Sequence, residues 1–294
     1  MTQLKGFFAK IVSYVAIVAM VFNQIGYALN LERDIYPKAH DAIRVMSFNV
    51  LCGGDEEHGI QNRLGIVTRT VTEYYPDSLG VQEATPQWML WLNVFLPEYD
   101  YVGVGRDDGR FKGEYAAIFY LKDKYRVVQS ETFWLSQTPE QPSLGWDAAC
   151  NRVCTWAVLE NKATGERYAH INTHLDHMGS VARENSVDMI LEKAASFNLP
   201  VVCTGDFNFR QGSGLYNALS SGVLQDAKFL APDTMNYQTF HGFAQAVDPN
   251  RVIDFIFTNS RMTPLTYKVI FEGIDGKPVS DHYPLYSDML LNAS

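Results

Sequence analysis

Short apolar runs recur along the chain from residue 42 onwards, and turn residues or helical patterns separate most of them. Alternation of apolar and polar residues with a period of two, or a short run of β-branched and aromatic residues, is typical of strands. The sequence therefore predicts strands at 43–49, 78–83, 127–134, 153–159, 168–173, 252–257 and 267–271, a hairpin over 99–120, a strand from Val201 and a closing strand after 285.

Four segments carry apolar residues at helical spacing instead, which predicts helices at 62–75, 86–96, 181–197 and 214–220. Residues 224–241 show neither period and are expected to be irregular. Strands outnumber helices, and hairpins alternate with strand–helix–strand units. The sequence shows no internal repeat and no linker between domains. We therefore expect one α/β domain over residues 41–294, with two packed mixed sheets and helices outside.

Composition and charge narrow the function without deciding it. The chain has 294 residues, of which 47% are hydrophobic and 19% are charged, so it can bury a sizeable core. Its formal net charge is −9 and its pI about 5.2. Proteins that bind duplex DNA tightly usually carry a basic face, so this charge argues against tight non-specific DNA binding. It does not argue against a metal-dependent phosphoesterase, because the metal supplies positive charge locally.

The first 28 residues have the pattern of an export signal. Lys5 and Lys10 precede an apolar run over 11–22, and the small residues Gly26 and Ala28 follow. The run is shorter than the ~20 residues of a membrane-spanning helix. We expect residues 1–28 to be a signal peptide or an N-terminal membrane anchor. The protein would then be secreted or held at the cell surface, with membrane association through this segment.

Asp206 and Asn208 follow an apolar strand directly and are two positions apart. In extended backbone two such side chains point to the same side. A carboxylate and an amide held together on a rigid element can orient a water molecule and a phosphoryl oxygen in one site. Taken alone, Gly-Asp-x-Asn is also ordinary turn chemistry.

Other strand ends supply more polar side chains, and strand ends on one rim of a layered α/β fold converge on one cleft. Each of these residues alone has a plain structural explanation as a cap, a local hydrogen bond or a turn. Their ordered succession is what favours a catalytic site. The set consists of Asn49, Glu83, Glu114, His174, Asp206 with Asn208, and Asp281 with His282, while Asp254 lies within a predicted strand.

These residue types suit metal-assisted hydrolysis. Glu83 and Asp281, with Asn49, offer hard oxygen ligands, which Mg²⁺ or Mn²⁺ prefers and zinc does not. His282 paired with a buried aspartate would hold a fixed tautomer and gain basicity. Asp206 is placed to take a proton from water or to hold one against a leaving oxygen.

Six motifs carry a family resemblance: Ser47-Phe48-Asn49, Val81-Gln82-Glu83, Asn172-Thr173-His174, Thr204-Gly205-Asp206-Phe207-Asn208, Ile253-Asp254-Phe255-Ile256 and Ser280-Asp281-His282. Together they resemble the endonuclease/exonuclease/phosphatase superfamily, which includes DNase I-like nucleases, repair enzymes, inositol polyphosphate phosphatases, sphingomyelinases and deadenylases. The resemblance extends from about Ile43 to Leu291. It implies a four-layer α/β sandwich of the DNase I-like type and Mg²⁺-dependent cleavage of a phosphate ester.

The resemblance also implies roles for the acidic and amide residues. Glu83 is similar to the main metal ligand of the family, and Asn49 and Asp281 are similar to its supporting residues. Asp206 and Asn208 resemble the pair that activates and orients the nucleophile.

Two histidines and an arginine complete the implied site. His282, steered by Asp254, resembles the histidine that contacts the phosphate or acts as a base. His174, buttressed by Glu114, resembles the second phosphate or leaving-group histidine. Arg152 stands where DNase I-like members place a phosphate-binding arginine.

Further motifs, such as Thr173-His174-Leu175-Asp176-His177, resemble a bacterial group of stand-alone metal-dependent hydrolases akin to the deadenylase branch. Leu51 stands where the repair enzymes have an acidic residue, which argues against cleavage at abasic sites. We expect a monomeric phosphoesterase whose substrate is a nucleic acid, a phospholipid head group or a sugar phosphate. A phosphodiester comes first, because two histidines can grip its non-bridging oxygens while both ester arms leave the cleft. The alternative is a non-catalytic binding module on the same fold.

Overall fold

The computed structural model describes residues 35–244, 246–273 and 278–292. The predicted signal peptide or anchor at 1–28 lies outside these residues. Within the described ranges, none of the helices has both the length and the apolar character required to cross a bilayer.

The described residues form thirteen strands, whose lengths run from two to ten residues. In chain order they are β1 (Ile43–Asn49), β2 (Ser78–Gln82), β3 (Tyr99–Val102), β4 (Ile118–Leu121), β5 (Tyr125–Trp134), β6 (Val153–Asn161), β7 (Arg167–His174), β8 (Val201–Asp206), β9 (Gln225–Asp226), β10 (Asp233–Thr234), β11 (Asp254–Thr258), β12 (Met262–Val269) and β13 (Leu285–Leu291).

Five helices lie between these strands in the described ranges: α1 (Ile60–Tyr74), α2 (Pro86–Phe95), α3 (Ser180–Ser196), α4 (Gly214–Ser220) and α5 (Ala227–Leu230). Helix α2 begins with a proline in its first turn, behind Thr85, whose side chain accepts the backbone N–H of Trp88. In α4 the side chain of Ser213 caps the backbone N–H of Tyr216 in the same way.

Two mixed sheets pack face to face. One sheet has the strand order β10-β12-β13-β1-β2-β4-β3 and the other β5-β6-β7-β8-β11-β9. The apolar faces of α1 and α2 join the core of the first sheet, and those of α3 and α4 join the core of the second. The expected four-layer sandwich of helices, two mixed sheets and helices is therefore confirmed.

The middle of the interface between the sheets is polar. Gln82 on β2 donates to Asn172 Oδ1 on β7 at 2.7 Å, and Thr204 on β8 donates to the same oxygen at 3.0 Å. His170 bridges Ser78 and Thr204 through its two ring nitrogens, each at 2.9 Å. Burial lowers the pKa of His170 to about 3. This hydrogen-bonded layer fixes the position of β2 relative to β7 and β8, whose ends carry the polar cluster described next.

Most of the predicted elements are confirmed, with shifted ends. The strand predicted at 267–271 begins at Met262, and the segment expected to be irregular contains the short elements β9, α5 and β10. Asp254 lies within the predicted strand, as its first residue in β11. Glu114 lies before β4, in the loop that follows β3, and is not at the end of a strand.

Candidate active site

The sheet topology brings the ends of four strands to one rim. Strands β1 and β2 are parallel neighbours, so Asn49 at the end of β1 lies beside Glu83, which follows β2. Strands β7 and β8 are also parallel, and His174 pairs directly with Asp206 in their register. Parallel strands that end together present their terminal side chains at the same edge.

Two antiparallel strands bring further residues to this rim. Strand β11 runs antiparallel to β8, and its first residue, Asp254, lies opposite Asp206. Strand β13 runs antiparallel to β1, so its beginning lies at the end of β1. Asp281 and His282 precede β13 and therefore reach the same cleft.

Asp206 lies at the centre of the cluster and is 2% exposed. Its Oδ2 accepts a hydrogen bond from Asn49 Nδ2 at 3.0 Å, and it lies 3.5 Å from His174 Nε2 and 3.7 Å from His282 Nε2. Burial and the neighbouring carboxylate of Asp254 raise the pKa of Asp206. The structure thus places Asn49, His174 and His282, all predicted from the sequence, around the carboxylate of Asp206.

Glu83 stands at the open side of the cluster and is held by two donors. Asn49 Nδ2 donates to Oε1 at 3.0 Å, and the backbone N–H of Cys52 donates to Oε2 at 2.8 Å. Burial opposes ionisation of Glu83, but these hydrogen bonds outweigh it and lower its pKa. Glu83 also has a positive φ of 59°, which few non-glycine residues adopt.

His282 and Asp254 form the pair that the sequence predicts. His282 Nδ1 lies 2.9 Å from Asp254 Oδ2, and both side chains are buried. Burial alone would lower the pKa of His282, but the carboxylates of Asp254 and Asp206 outweigh it and raise the pKa to about 10. Thr239 Oγ1 accepts the backbone N–H of Asp254 at 3.0 Å and so fixes the start of β11.

Asn208 lies beside Asp206 in a left-handed conformation, with φ of 51°. Its backbone N–H donates to Asp206 Oδ1 at 3.0 Å, and its side-chain amide donates to the carbonyl of Leu175 at 2.9 Å. The amide nitrogen is therefore committed to the loop after β7. The backbone of Asn208 orients the carboxylate of Asp206.

The expected buttress between Glu114 and His174 is wrong. Both carboxylate oxygens of Glu114 accept from the guanidinium of Arg106, at 2.8 and 3.0 Å. His174 Nδ1 is buried and finds no hydrogen-bond partner in the part of the chain that the structure describes. The reason is that Arg106 faces Glu114 across one loop, and a guanidinium fork matches a carboxylate better than one imidazole nitrogen does.

Arg152 lies beside the cluster and is 5% exposed. Its Nε contacts Asp176 Oδ2 at 3.3 Å, and its Nη2 lies 3.0 Å from His177 Nδ1. Cys150, Asp176 and His177 also lie close enough to suggest a metal group. Asp176 already accepts three backbone N–H groups as well as Arg152, which makes it a structural anchor of this loop.

The donor set at the rim fits a hard divalent cation. Ligand atoms of Glu83, His174 and Asp206 lie within 4.8 Å of one another, and Asp254 adds a further buried carboxylate. Asp281 is half-buried, outside that group, and burial raises its pKa. Four carboxylates converge where His282 supplies positive charge, and oxygen-rich sites of this kind suit Mg²⁺ or Mn²⁺.

Two arginines that sequence reasoning missed shape the rim. Arg63 on α1 is 2% exposed and donates to the carbonyls of His58, Val50 and Leu51, which fixes the loop after β1. Arg106 is the partner of Glu114. In the sequence Arg63 looks like the polar face of a helix and Arg106 like part of a solvated charged loop, so neither carried a local signal.

The arrangement can perform acid–base chemistry. A carboxylate of raised pKa, a cationic imidazole held by an aspartate, and a second buried imidazole face one cleft. Burial, with the nearby Arg152 and His282, lowers the pKa of His174 well below its ordinary value, so this ring is neutral. The cleft therefore contains one cationic and one neutral histidine.

Comparisons with known proteins agree with this geometry. A family model described as "Endonuclease/Exonuclease/phosphatase family" matches residues 46–282. The solved structure of an endonuclease/exonuclease/phosphatase from Bacteroides vulgatus is 37% identical, covers 85% of this chain and 99% of its own length, and superposes with a TM-score of 0.81.

Two further relatives differ in their described activities. A mannosyl-6-phosphatase of Bacteroides thetaiotaomicron is 34% identical, covers 85% of this chain and 100% of its own, and has a TM-score of 0.79. The CCR4-Not complex 3'-5'-exoribonuclease subunit Ccr4 of Mycosarcoma maydis is 26% identical over 209 residues. That match spans 55% of this chain but only 31% of the fungal protein.

Proposed function

The chain belongs to the endonuclease/exonuclease/phosphatase family, and from this premise we propose that it hydrolyses phosphate esters with the help of Mg²⁺ or Mn²⁺. One observation carries the proposal. A buried carboxylate, that of Asp206, lies within reach of an amide and two imidazoles at the common end of four strands. A structural role alone does not require so many ionisable groups in one buried cluster.

Glu83 would hold the cation, with Asp206, Asp281 and Asn49 around it. Glu83 is the candidate because its pKa is lowered, so it is ionised at neutral pH. A bound divalent cation supplies positive charge for the phosphoryl oxygens and favours the ionised form of a bound water.

The side chains of the chain itself supply the proton transfers. Asp206, whose raised pKa brings it nearer to neutral pH, accepts a proton from the attacking water. His282, cationic and held by Asp254, stabilises the negative charge that develops on a phosphoryl oxygen. His174, neutral, offers a hydrogen bond to a phosphoryl oxygen. Water attacks on the face where Asp206 lies, the P–O bond to the leaving group on the opposite face breaks, and the leaving oxygen takes a proton from solvent.

Two classes of phosphate ester are candidates for the substrate. The sequence favours a phosphodiester, and the 3'-5'-exoribonuclease among the relatives supports a nucleic acid. The 34% identity to a mannosyl-6-phosphatase over the whole of that chain supports a phosphomonoester of a sugar. A phospholipid head group is a third possibility within the diester class.

The test is turnover of p-nitrophenyl phosphate and bis-p-nitrophenyl phosphate with Mg²⁺ and with EDTA. We expect EDTA to abolish turnover and Asp206→Asn to lower kcat about 10²- to 10⁴-fold. The exposed aspartate of α3, Asp188, gives the matched control, and Asp188→Asn should leave both rates unchanged. Turnover that resists EDTA, or an undiminished Asp206→Asn enzyme, would remove the proposal. Metal binding without turnover of any ester would favour the non-catalytic binding module.

We also propose that the protein acts outside the cytoplasm, either secreted or held at the cell surface through residues 1–28. The support is the basic start and short apolar run of this segment. Cell fractionation, with sequencing of the mature N-terminus, tests the proposal. Full-length protein found only in the cytoplasm would contradict it.

A further inference from the structure

Three buried nitrogen atoms beside the candidate active site lack a hydrogen-bond partner among the described residues. They are Arg106 Nε, Arg152 Nη1 and His174 Nδ1. All three residues line one small cavity. A buried donor left without an acceptor is costly, and native structures seldom tolerate several together. The cluster therefore points to an acceptor oxygen at this place, either of a water molecule or of a ligand that displaces it.

The two arginines cannot turn away from the cavity, because each is fixed from behind. Glu114 grips Arg106 through both Nη atoms, and Trp134 Nε1 donates to the backbone carbonyl of Arg106 at 2.7 Å. Asp176 holds Arg152 through Nε. Each guanidinium thus keeps one nitrogen, Arg106 Nε or Arg152 Nη1, without a partner among the described residues, and both side chains line the cavity. Glu114 acts as a positioning residue for Arg106.

The cavity has the size of a single oxygen atom with its surroundings. Its volume is about 10 Å³, the room that one water-sized group needs. The remaining wall is formed by Tyr115, Ala116 and Val153, which are buried, and by Glu114, whose two carboxylate oxygens are occupied by Arg106. Arginine N–H groups only donate, so the cavity selects an acceptor, and an anionic oxygen satisfies it best. An oxygen that carries a carbon substituent does not fit.

His174 connects this cavity to the reaction centre. Its Nε2 lies 3.5 Å from Asp206, its Nδ1 has no partner among the described residues, and its side chain lines the cavity. His174 thus belongs both to the cluster around Asp206 and to the wall of the cavity, so a phosphate group bound at His174 lies beside the cavity. A phosphomonoester has three terminal oxygens, whereas a diester has two and a second ester arm in the third place.

We infer that the cavity lined by Arg106, Arg152 and His174, which we call the Arg106 pocket, receives the third terminal oxygen of a phosphomonoester, so that the protein prefers monoesters to diesters. This inference rests on the proposed function and decides between its two substrate classes. Arg106 is then a specificity-determining residue.

The experiment compares p-nitrophenyl phosphate with methyl p-nitrophenyl phosphate in Mg²⁺. The two substrates share a leaving group and differ by one methyl group on the oxygen in question. We expect the wild type to favour the monoester in kcat/KM. Arg106→Gln should lower kcat/KM for the monoester about 10- to 150-fold, the worth of one charge-assisted hydrogen bond, and change the diester much less.

Three variants make the result specific. Arg126→Gln removes an arginine that pairs with Glu160 on β6. Glu160 lies seven residues, or about 23 Å of strand, from Val153, which lines the cavity. Arg126→Gln should leave the preference intact. The double variant Arg106→Gln/Glu114→Gln removes both charges, so that Glu114 is not left as an unpaired buried carboxylate. Thermal unfolding of each variant shows whether the fold is retained. Glu114→Gln should weaken the monoester preference without reversing it.

Calorimetry provides a readout that needs no turnover. In Mg²⁺, methyl phosphate should bind the wild type at least about tenfold more tightly than dimethyl phosphate, and Arg106→Gln should remove the difference. Equal binding of the two phosphates, or an undiminished difference in Arg106→Gln, overturns the inference. So does an equal loss of both ester activities in Arg106→Gln. If no ester is hydrolysed but methyl phosphate binding depends on Arg106, the proposed function fails and the pocket stands.

Discussion

Replacing Gly80 by alanine should separate the two sheets directly behind the candidate active site. Gly80 lies in β2 and faces the second sheet. An added Cβ would lie 2.6 Å from Asn172 Cγ and closer still to Asn172 Oδ1 and Thr204 Oγ1. Ordinary carbon contacts are about 3.5–4.0 Å, so these groups must move by about 1 Å.

The cost of Gly80→Ala follows from what that movement disturbs. Overpacking a well-packed interior costs about 1–3 kcal/mol. Asn172 Oδ1 accepts hydrogen bonds from Gln82 and Thr204, and loss of one costs about 1 kcal/mol more. We therefore expect the free energy of unfolding to fall by about 2–4 kcal/mol. Because Glu83 follows β2 and Asp206 ends β8, kcat/KM should fall as well.

Urea unfolding followed by tryptophan fluorescence measures the loss of stability, and ester turnover measures the displacement of the site. Gly214→Ala is the matched control, because nothing lies within 4 Å of the position of its Cβ and it begins α4. It should be neutral or stabilise by up to about 1 kcal/mol. A Gly80→Ala protein with the stability and rate of the wild type would show that the spacing of the sheets does not hold the site.

Three further predictions concern single side chains. Asp254→Asn should lower turnover about 100-fold or more, because it removes the charge that keeps His282 cationic. Arg63→Met should destabilise the fold by about 2–4 kcal/mol, because several carbonyls of the loop after β1 lose their donor. Burial raises the pKa of Asp77, but its two lysine partners, Lys38 and Lys124, outweigh burial and lower this pKa. Asp77→Asn should therefore be less stable than the wild type at pH 7. The difference in stability should disappear as pH falls below about 4.

The measurements are steady-state kinetics for Asp254→Asn, urea unfolding for Arg63→Met, and thermal melts across pH 3 to 7 for Asp77→Asn. Turnover of Asp254→Asn near the wild-type rate would refute the role of the pair with His282. A stability deficit of Asp77→Asn that grows toward low pH would have the wrong sign, since a lowered pKa stabilises only where the carboxyl group is ionised.

The layered fold could be predicted from the sequence because its cause is local. The period-two run Ile43–Asn49 is buried along its whole length, and the helix Ser180–Ser196 buries one face, so burial decides the conformation of both segments. The prediction was wrong where tertiary contacts decide instead. Glu114, which was expected at the end of a strand, lies in the loop before β4, where both its carboxylate oxygens accept from Arg106.

The residues of the candidate site could be predicted where they lie at the ends of strands, because strand ends can be located in the sequence. Asn49, Glu83, His174 and Asp206 each end or follow a strand, so topology alone gathers them. The role of Arg106 could not be predicted, because it depends on which carboxylate the side chain contacts in the folded protein. A charged loop of five or more residues looks solvated in the sequence, and only coordinates distinguish an arginine gripped by Glu114 from one in water.

The left-handed residues at the rim were equally invisible in the sequence, and they explain how the site is held. Leu51, Glu83 and Asn208 all have positive φ, each at a cost of about 1–3 kcal/mol. Hydrogen bonds from the site offset this strain. Asn49 Oδ1 accepts the N–H of Leu51, and Asn49 Nδ2 donates to Glu83. Asp206 accepts the N–H of Asn208. The same side chains thus shape the cleft and hold its backbone in strained conformations. Replacing Asn49 should therefore have two effects at once: the loop after β1 relaxes, and Glu83 loses its position.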